Sequence, residues 1–105
     1  MLDPVIHPLP RLRICAALRR SGAIDGDLHP ASGMQMRFAE LRESLGMSDS
    51  ALSKQLGALE QAGYLRRQRD YASIRSRDVV WVSLTQEGLS AFEAHLEALR
   101  TIAGQ

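Results

Sequence analysis

One cysteine, Cys15, is present in the 105 residues. That excludes an internal disulfide and removes the cysteine pairs from which zinc sites are usually built. Cys15 falls beside Ile14 and Leu18 on an apolar helical face, where a small core side chain is the expected role and a redox sensor the alternative. Histidine is equally sparse. His7, His29 and His95 fall on different elements, with no HExxH pattern and no acidic cluster beside them, so each is expected at the surface or in the core and no metal site is expected. The chain also lacks a phosphate-binding glycine loop and a nucleophile with a base in reach; Ser48, Ser50 and Ser53 do not compose a triad. No enzymatic activity and no cofactor are expected.

No apolar run approaches the roughly 20 residues of a membrane span. The opening "MLDPVIHPLPRLR" lacks the basic-then-apolar order of a secretory signal. A cytoplasmic protein without membrane contact is expected. A hydrophobic fraction of 45% and a charged fraction of 24% suit one globular domain over 1–105 and exclude overall disorder. The net charge of +1 excludes little, but its distribution is uneven. Tyr64 to Arg77 holds Arg66, Arg67, Arg69, Arg75 and Arg77 against Asp70, whereas Val79 to Gln105 holds Arg100 against Glu87, Glu93 and Glu97. A basic segment before an acidic helix implies two surfaces with different tasks.

The stretch "SDSALSKQLGALEQAGYLRR", Ser48 to Arg67, is punctuated at both ends. Ser48 is suited to cap a helix, with Met47 stapling onto Leu52. Gly63 is suited to the left-handed conformation after Ala62, with Tyr64 folding back onto Leu59. Upstream, "PRLRICAALRR" spaces Ile14, Cys15 and Leu18 as a helix, with Pro10 in its first turn. "SGAIDGDLHPASG", Ser21 to Gly33, reads as a loop within the domain. "GMQM" suits a short edge strand, and "RFAELRESLG" a second helix that stops at Gly46. The tight joint to the next helix predicts a helix-turn-helix. Two strand-like stretches follow, "YLRRQRD" and "VVWVSL", joined by "YASIRSR", and predict a β-hairpin. In the second, Val80, Val82 and Leu84 alternate with Val79, Trp81 and Ser83. Thr85 then caps an amphipathic helix along Leu89, Phe92, Leu96, Leu99 and Ala103.

The predicted fold is mainly α with a β-hairpin wing: a winged helix-turn-helix plus a C-terminal amphipathic helix. "SALSKQLGALEQAGYL" and "VSLTQEG" resemble the recognition-helix and post-wing segments of winged-helix regulators related to the MarR and ArsR families. The nearest likeness is to small stand-alone winged-helix DNA-binding regulators that open with a sequence such as "LDPVIHPLPRLRI". The resemblance covers nearly the whole chain, apart from Ser21 to Gly33, which is longer than the usual connection. It implies a bacterial or archaeal transcriptional regulator, usually a homodimer, with the third helix in the major groove and the wing beside it.

The residues make their own case for double-stranded DNA. With Leu52, Leu56, Leu59 and Gly63 toward the core, the opposite face presents Ser50, Ala51, Lys54, Gln55 and Ala58. There Lys54 can donate to guanine and Gln55 can pair bidentately with adenine. Ser48 and Ser50 can meet phosphate through hydroxyl and backbone N–H. The expected DNA-contacting set is Arg37, Ser48, Ser50, Ala51, Ser53, Lys54, Gln55, Arg67, Arg69, Arg75 and Arg77, with the last two near the wing tip. Two residues depart from an ordinary helix-turn-helix. Arg42 has to lay its stem along the surface with its charge in water. Asp49 suits the helix dipole but repels phosphate, so capping is its expected role and acceptance from a cytosine amino group the alternative. The terminal helix, 85–103, is expected to dimerise through Leu89, Phe92, Leu96, Leu99 and Ile102. No residue cluster declares a small-molecule effector. A winged helix that docks on another protein through the same surfaces is the competing function.

Overall fold

The computed structural model describes residues 1–25, 35–70 and 79–104. The described elements run α1 (Leu9–Ser21), β1 (Met36–Arg37), α2 (Phe38–Leu45), α3 (Asp49–Gln61), β2 (Leu65–Asp70), β3 (Val79–Leu84) and α4 (Gln86–Ala103). The strands make one antiparallel sheet in the order β1-β3-β2. Leu65 lies opposite Leu84 and Arg69 opposite Val80. This is the winged helix-turn-helix read from the element order.

The stops and starts follow from backbone chemistry. Ser48 Oγ accepts from the Ala51 N–H at 3.2 Å and so caps α3. At the other end the Tyr64 N–H donates to the Leu59 carbonyl at 3.0 Å and the Gly63 N–H to the Glu60 carbonyl at 2.9 Å. Those two bonds are a Schellman motif, and its φ of 80° at Gly63 is one that glycine adopts without a Cβ penalty. The Thr85 hydroxyl oxygen caps α4 by accepting from the Gly88 N–H at 2.9 Å.

One core joins all layers. Leu41, Leu52, Leu56 and Leu59 of the helix-turn-helix meet Ile14, Cys15 and Leu18 of α1, Val82 and Leu84 of β3, and Phe92 of α4. Burial of each such Leu or Ile stabilises the fold by about 1.5–3 kcal/mol. Cys15 belongs to this core, and burial pushes its thiol up to about 12. Ile6 is also fully buried, so the segment before α1 is part of the packing.

The structure departs from the sequence reading in two places. Arg37, expected in the second helix, is the last residue of β1 and stands opposite Trp81. The loop expected from Ser21 opens with backbone paired to β3: the Leu84 N–H donates to the Ala23 carbonyl and the Asp25 N–H to the Leu84 carbonyl, both at 2.8 Å. This pairing brings Asp25 against Ser83, whose hydroxyl donates to Asp25 Oδ1 at 2.6 Å. Ser83 is therefore buried with Val82 and Leu84, and the expected alternation along the strand is lost in its second half. The linker "YASIRSR" lies outside the described residues.

The joint between α3 and β2 is a meeting point. Thr85 donates its hydroxyl hydrogen to the Gly63 carbonyl at 2.7 Å, and its N–H to the Tyr64 carbonyl at 3.1 Å. Gly88 presses on the same place. A Cβ there would lie 2.0 Å from the Tyr64 carbonyl oxygen. The Tyr64 hydroxyl donates to Asp3 Oδ2 at 2.7 Å, and the Asp3 N–H donates to Nδ1 of His95, a fully buried residue of α4.

Candidate nucleic-acid interface

Helical geometry sorts the side chains of α3 into four lines. Leu52, Leu56 and Leu59 point inward and are fully buried. Ser50, Lys54 and Gln61 stand opposite them and are exposed. Ser53 and Glu60 flank the helix on the side of β2, where both bond to Arg67. Gln55 flanks it on the side of α1, where its Oε1 accepts from Arg11 Nη1 at 3.3 Å. Ala51 and Ala58 share that second flank, and Ala51 is exposed.

Ser53, Gln55 and Arg67, all assigned to DNA from the sequence, thus have hydrogen-bond partners within the chain. Arg67 donates through Nε to Glu60 Oε1 at 3.0 Å, through Nη2 to the same oxygen, and through Nη1 to Ser53 Oγ at 2.9 Å. It braces β2 against α3. Gln55 is half-buried and its amide oxygen is engaged, so it does not share the outer line with Lys54. Both placements have one cause: the flanks of a packed helix face neighbours that the helical period alone does not locate.

The two carboxylates of α3 are both held by arginine. Glu60 is held by Arg67, and Asp49 Oδ1 accepts from Arg42 Nη1 at 2.8 Å across the turn from α2. This hydrogen bond and the charge of Asp49 raise the pKa of the Arg42 guanidinium. The pair was missed in the sequence, where Arg42 was expected to keep its charge in water and Asp49 to act as a cap. Its signal was there: residues seven apart across a three-residue joint fall on adjacent helix ends. Lys54 makes no hydrogen bond or ion pair among the described residues, so the outer line carries one cation and no carboxylate.

Between the start of α3 and the sheet lies an open cleft of about 630 Å³ lined by Phe38, Asp49, Ser50, Ser53, Arg69 and Val80, among others. Arg69 lines this cleft. Arg66 pairs with Asp25 Oδ2 at 3.5 Å. The Arg37 guanidinium lies 5.4 Å from the Trp81 ring centroid, within cation–π range. Ser48 and Ser50 are exposed at the start of α3. Arg75 and Arg77 lie outside the described residues.

On α4 the expected seam divides. Phe92 is 3% exposed and belongs to the chain's own core, and Leu96 packs against that core. Leu89 and Leu99 are partly exposed, and Ile102 is 55% exposed. Ile102 closes an apolar groove with Met1, Leu2, Ala94 and Ala98. No described helix is long and apolar enough to cross a membrane, and no described group of three or more His, Cys, Asp or Glu could hold a metal.

Residues 31–103 match the family described as winged helix DNA-binding domain. No curated protein sequence matches the chain. Among solved structures it is similar to a transcriptional regulator homologue from Pyrococcus horikoshii OT3, with a TM-score of 0.77 at 17% identity over 95% of this chain and 85% of that one. It is similar also to the YusO protein from Bacillus subtilis, with a TM-score of 0.68 at 23% identity over 98% of this chain and 59% of that one. The AntR antimony-specific transcriptional repressor gives a TM-score of 0.61 at 24% identity, over 96% of this chain and 76% of that one. At these identities the structural likenesses establish the fold.

Proposed function

The chain belongs to the winged helix DNA-binding domain family, and we propose that it is a sequence-specific regulator of transcription that reads double-stranded DNA. In this reading α3 enters the major groove and the hairpin of β2 and β3 lies on the flanking backbone or minor groove. The observation that carries it is the treatment of charge on α3. Asp49 and Glu60, its two carboxylates, are each tied to an arginine of another element, while Lys54 stands exposed on the outer line. A surface meant for phosphate and base edges gains from that arrangement, because unpaired carboxylates would oppose a polyanion.

Lys54 is the principal base reader of the proposal, with donors suited to guanine O6 and N7. Ser48, Ser50 and the first free N–H groups of α3 meet phosphate, and Ala51 lets the backbone approach. Arg37, Arg69, Arg75 and Arg77 supply phosphate contacts beside the groove. Ser53 and Arg67 act at one remove, by fixing β2 to α3. We place a second copy of the chain against α4, with Leu99 and Ile102 at the contact and Leu89 at its edge. A two-fold pair would set two copies of α3 toward successive major grooves, and its preferred site would be an inverted repeat with half-sites about one helical turn apart.

Selection of bound sequences from a random duplex library at near-physiological salt tests the function. Recovery of a motif, with affinity falling steeply as salt rises, supports it, since neutralised phosphates release counterions. Affinity no greater than that of an unrelated protein of similar charge overturns it in favour of a module that docks on protein.

A further inference from the structure

Arg11 lies on α1, outside the helix-turn-helix, yet its guanidinium spans two other segments. Nε donates to the Val5 carbonyl at 2.5 Å and Nη1 donates to Gln55 Oε1 at 3.3 Å. A guanidinium is planar and carries donors alone. Val5 therefore fixes its plane, and the atom that Gln55 turns toward it has to be the amide oxygen. The Gln55 amide is sorted by this contact. Its acceptor is engaged inside the protein, and no described residue accepts from its nitrogen. Gln55 is half-exposed, and Ala51, on the same flank one turn earlier, is exposed and small enough to let a base edge approach.

The bases differ in what they ask of such an amide. Adenine presents a donor beside an acceptor in the major groove, so pairing with it takes both the oxygen and the nitrogen of a glutamine. To the amide nitrogen alone guanine presents two acceptors, while adenine through N7 and thymine through O4 present one each. We propose that Arg11 is a positioning residue that sets the base preference of Gln55: with the amide oxygen held, Gln55 selects guanine in place of adenine. The proposal rests on α3 entering the major groove, and it reverses the adenine pairing expected of Gln55 from its residue type alone.

Random-duplex selection with the full chain tests it, comparing wild type with Gln55→Ala, Arg11→Met and Gln55→Glu. Gln55→Ala identifies the position that Gln55 reads, as the one that becomes degenerate. Wild type is expected to prefer guanine there, and Arg11→Met to shift the preference toward adenine by about fivefold or more, the scale of one bidentate contact. Gln55→Glu keeps a partner for Arg11 and loses both donors, so it should lose the guanine preference while other positions hold; this variant decides the matter if Arg11→Met melts. Adenine or thymine in the wild-type motif at that position, or the same base from Arg11→Met as from wild type, overturns the proposal. A motif unchanged by Gln55→Ala also overturns it while leaving DNA recognition through Lys54 in place. Failure of wild type to select any motif removes the underlying reading as well.

Discussion

Arg42 and Asp49 close the turn between α2 and α3 with a 2.8 Å ion pair, so the carboxylate at the start of α3 is already answered by a cation of the same chain. In the proposed complex, removing that cation leaves the Asp49 charge unanswered beside DNA. Arg42→Ala is expected to weaken duplex binding severalfold and Asp49→Asn in the same chain to restore it, as anisotropy titrations would report. Equal affinity for all three proteins removes the pair from the binding surface. The fold should change little, since exposed ion pairs contribute little to stability.

Lys54→Ala should lower discrimination at one position of the preferred site by about 1–3 kcal/mol, with a smaller effect on random duplex. A uniform loss across all sequences would reassign Lys54 to phosphate.

His95 gives the fold a pH dependence whose sign is set by burial. Its Nδ1 accepts from the Asp3 N–H at 2.9 Å, and its buried Nε2 has no partner among the described residues. Burial, then the neighbouring His7, lowers the His95 pKa, and Asp3 opposes them. A lowered folded value means that the unfolded chain takes the proton first. The contribution is complete above the unfolded value of about 6.5 and is lost as pH falls below it toward the folded value. Urea midpoints should therefore drop between pH 7 and pH 5, and His95→Asn, which keeps an acceptor near Asp3, should flatten that slope. A wild-type midpoint constant over this range contradicts the assignment.

Two glycine substitutions should act in opposite directions. Gly88→Ala puts a methyl group 2.0 Å from the Tyr64 carbonyl oxygen, where backbone has to give way, and should destabilise by about 1–3 kcal/mol or more. Gly57→Ala meets nothing within 4 Å inside α3 and should stabilise by about 0.5–1 kcal/mol. Thermal melts that rank the two variants the other way would contradict the packing of α4 on Tyr64.

For the dimer, Ile102→Glu is the cleaner probe because Ile102 is exposed and carries little of the core. Sedimentation should show a monomer, and an inverted repeat should lose its advantage over one half-site. Wild-type protein that stays monomeric at micromolar concentration, free and on DNA, refutes the assembly and leaves the fold untouched.

The elements were legible because their signals are local. Ser48, Gly63 and Thr85 end or begin helices by bonds within a few residues of themselves, and Leu52, Leu56 and Leu59 share a face by helical period. The long-range partners of the site were not legible. Arg11 reaches Gln55 over 44 residues and Tyr64 reaches Asp3 over 61, and nothing in residue type or spacing selects those pairs among the other arginines and carboxylates. Arg67 shows the same limit at short range: its charge was evident, but its capture by Glu60 depends on the angle at which β2 leaves α3. Phe92 was read as interface because the terminal helix has one apolar stripe, and the stripe alone does not say where cover by the domain ends.

The anchoring of α4 has a mechanical meaning. Its first turn is pinned at Gly63 and Tyr64, and its middle is held by Phe92, His95 and Leu96. Only the turns after Leu96 stand beyond the core, a length of about 10 Å to Ala103. A load applied at that end meets the packed middle of the helix first, which acts as a splint for the joint from which α3 and β2 diverge.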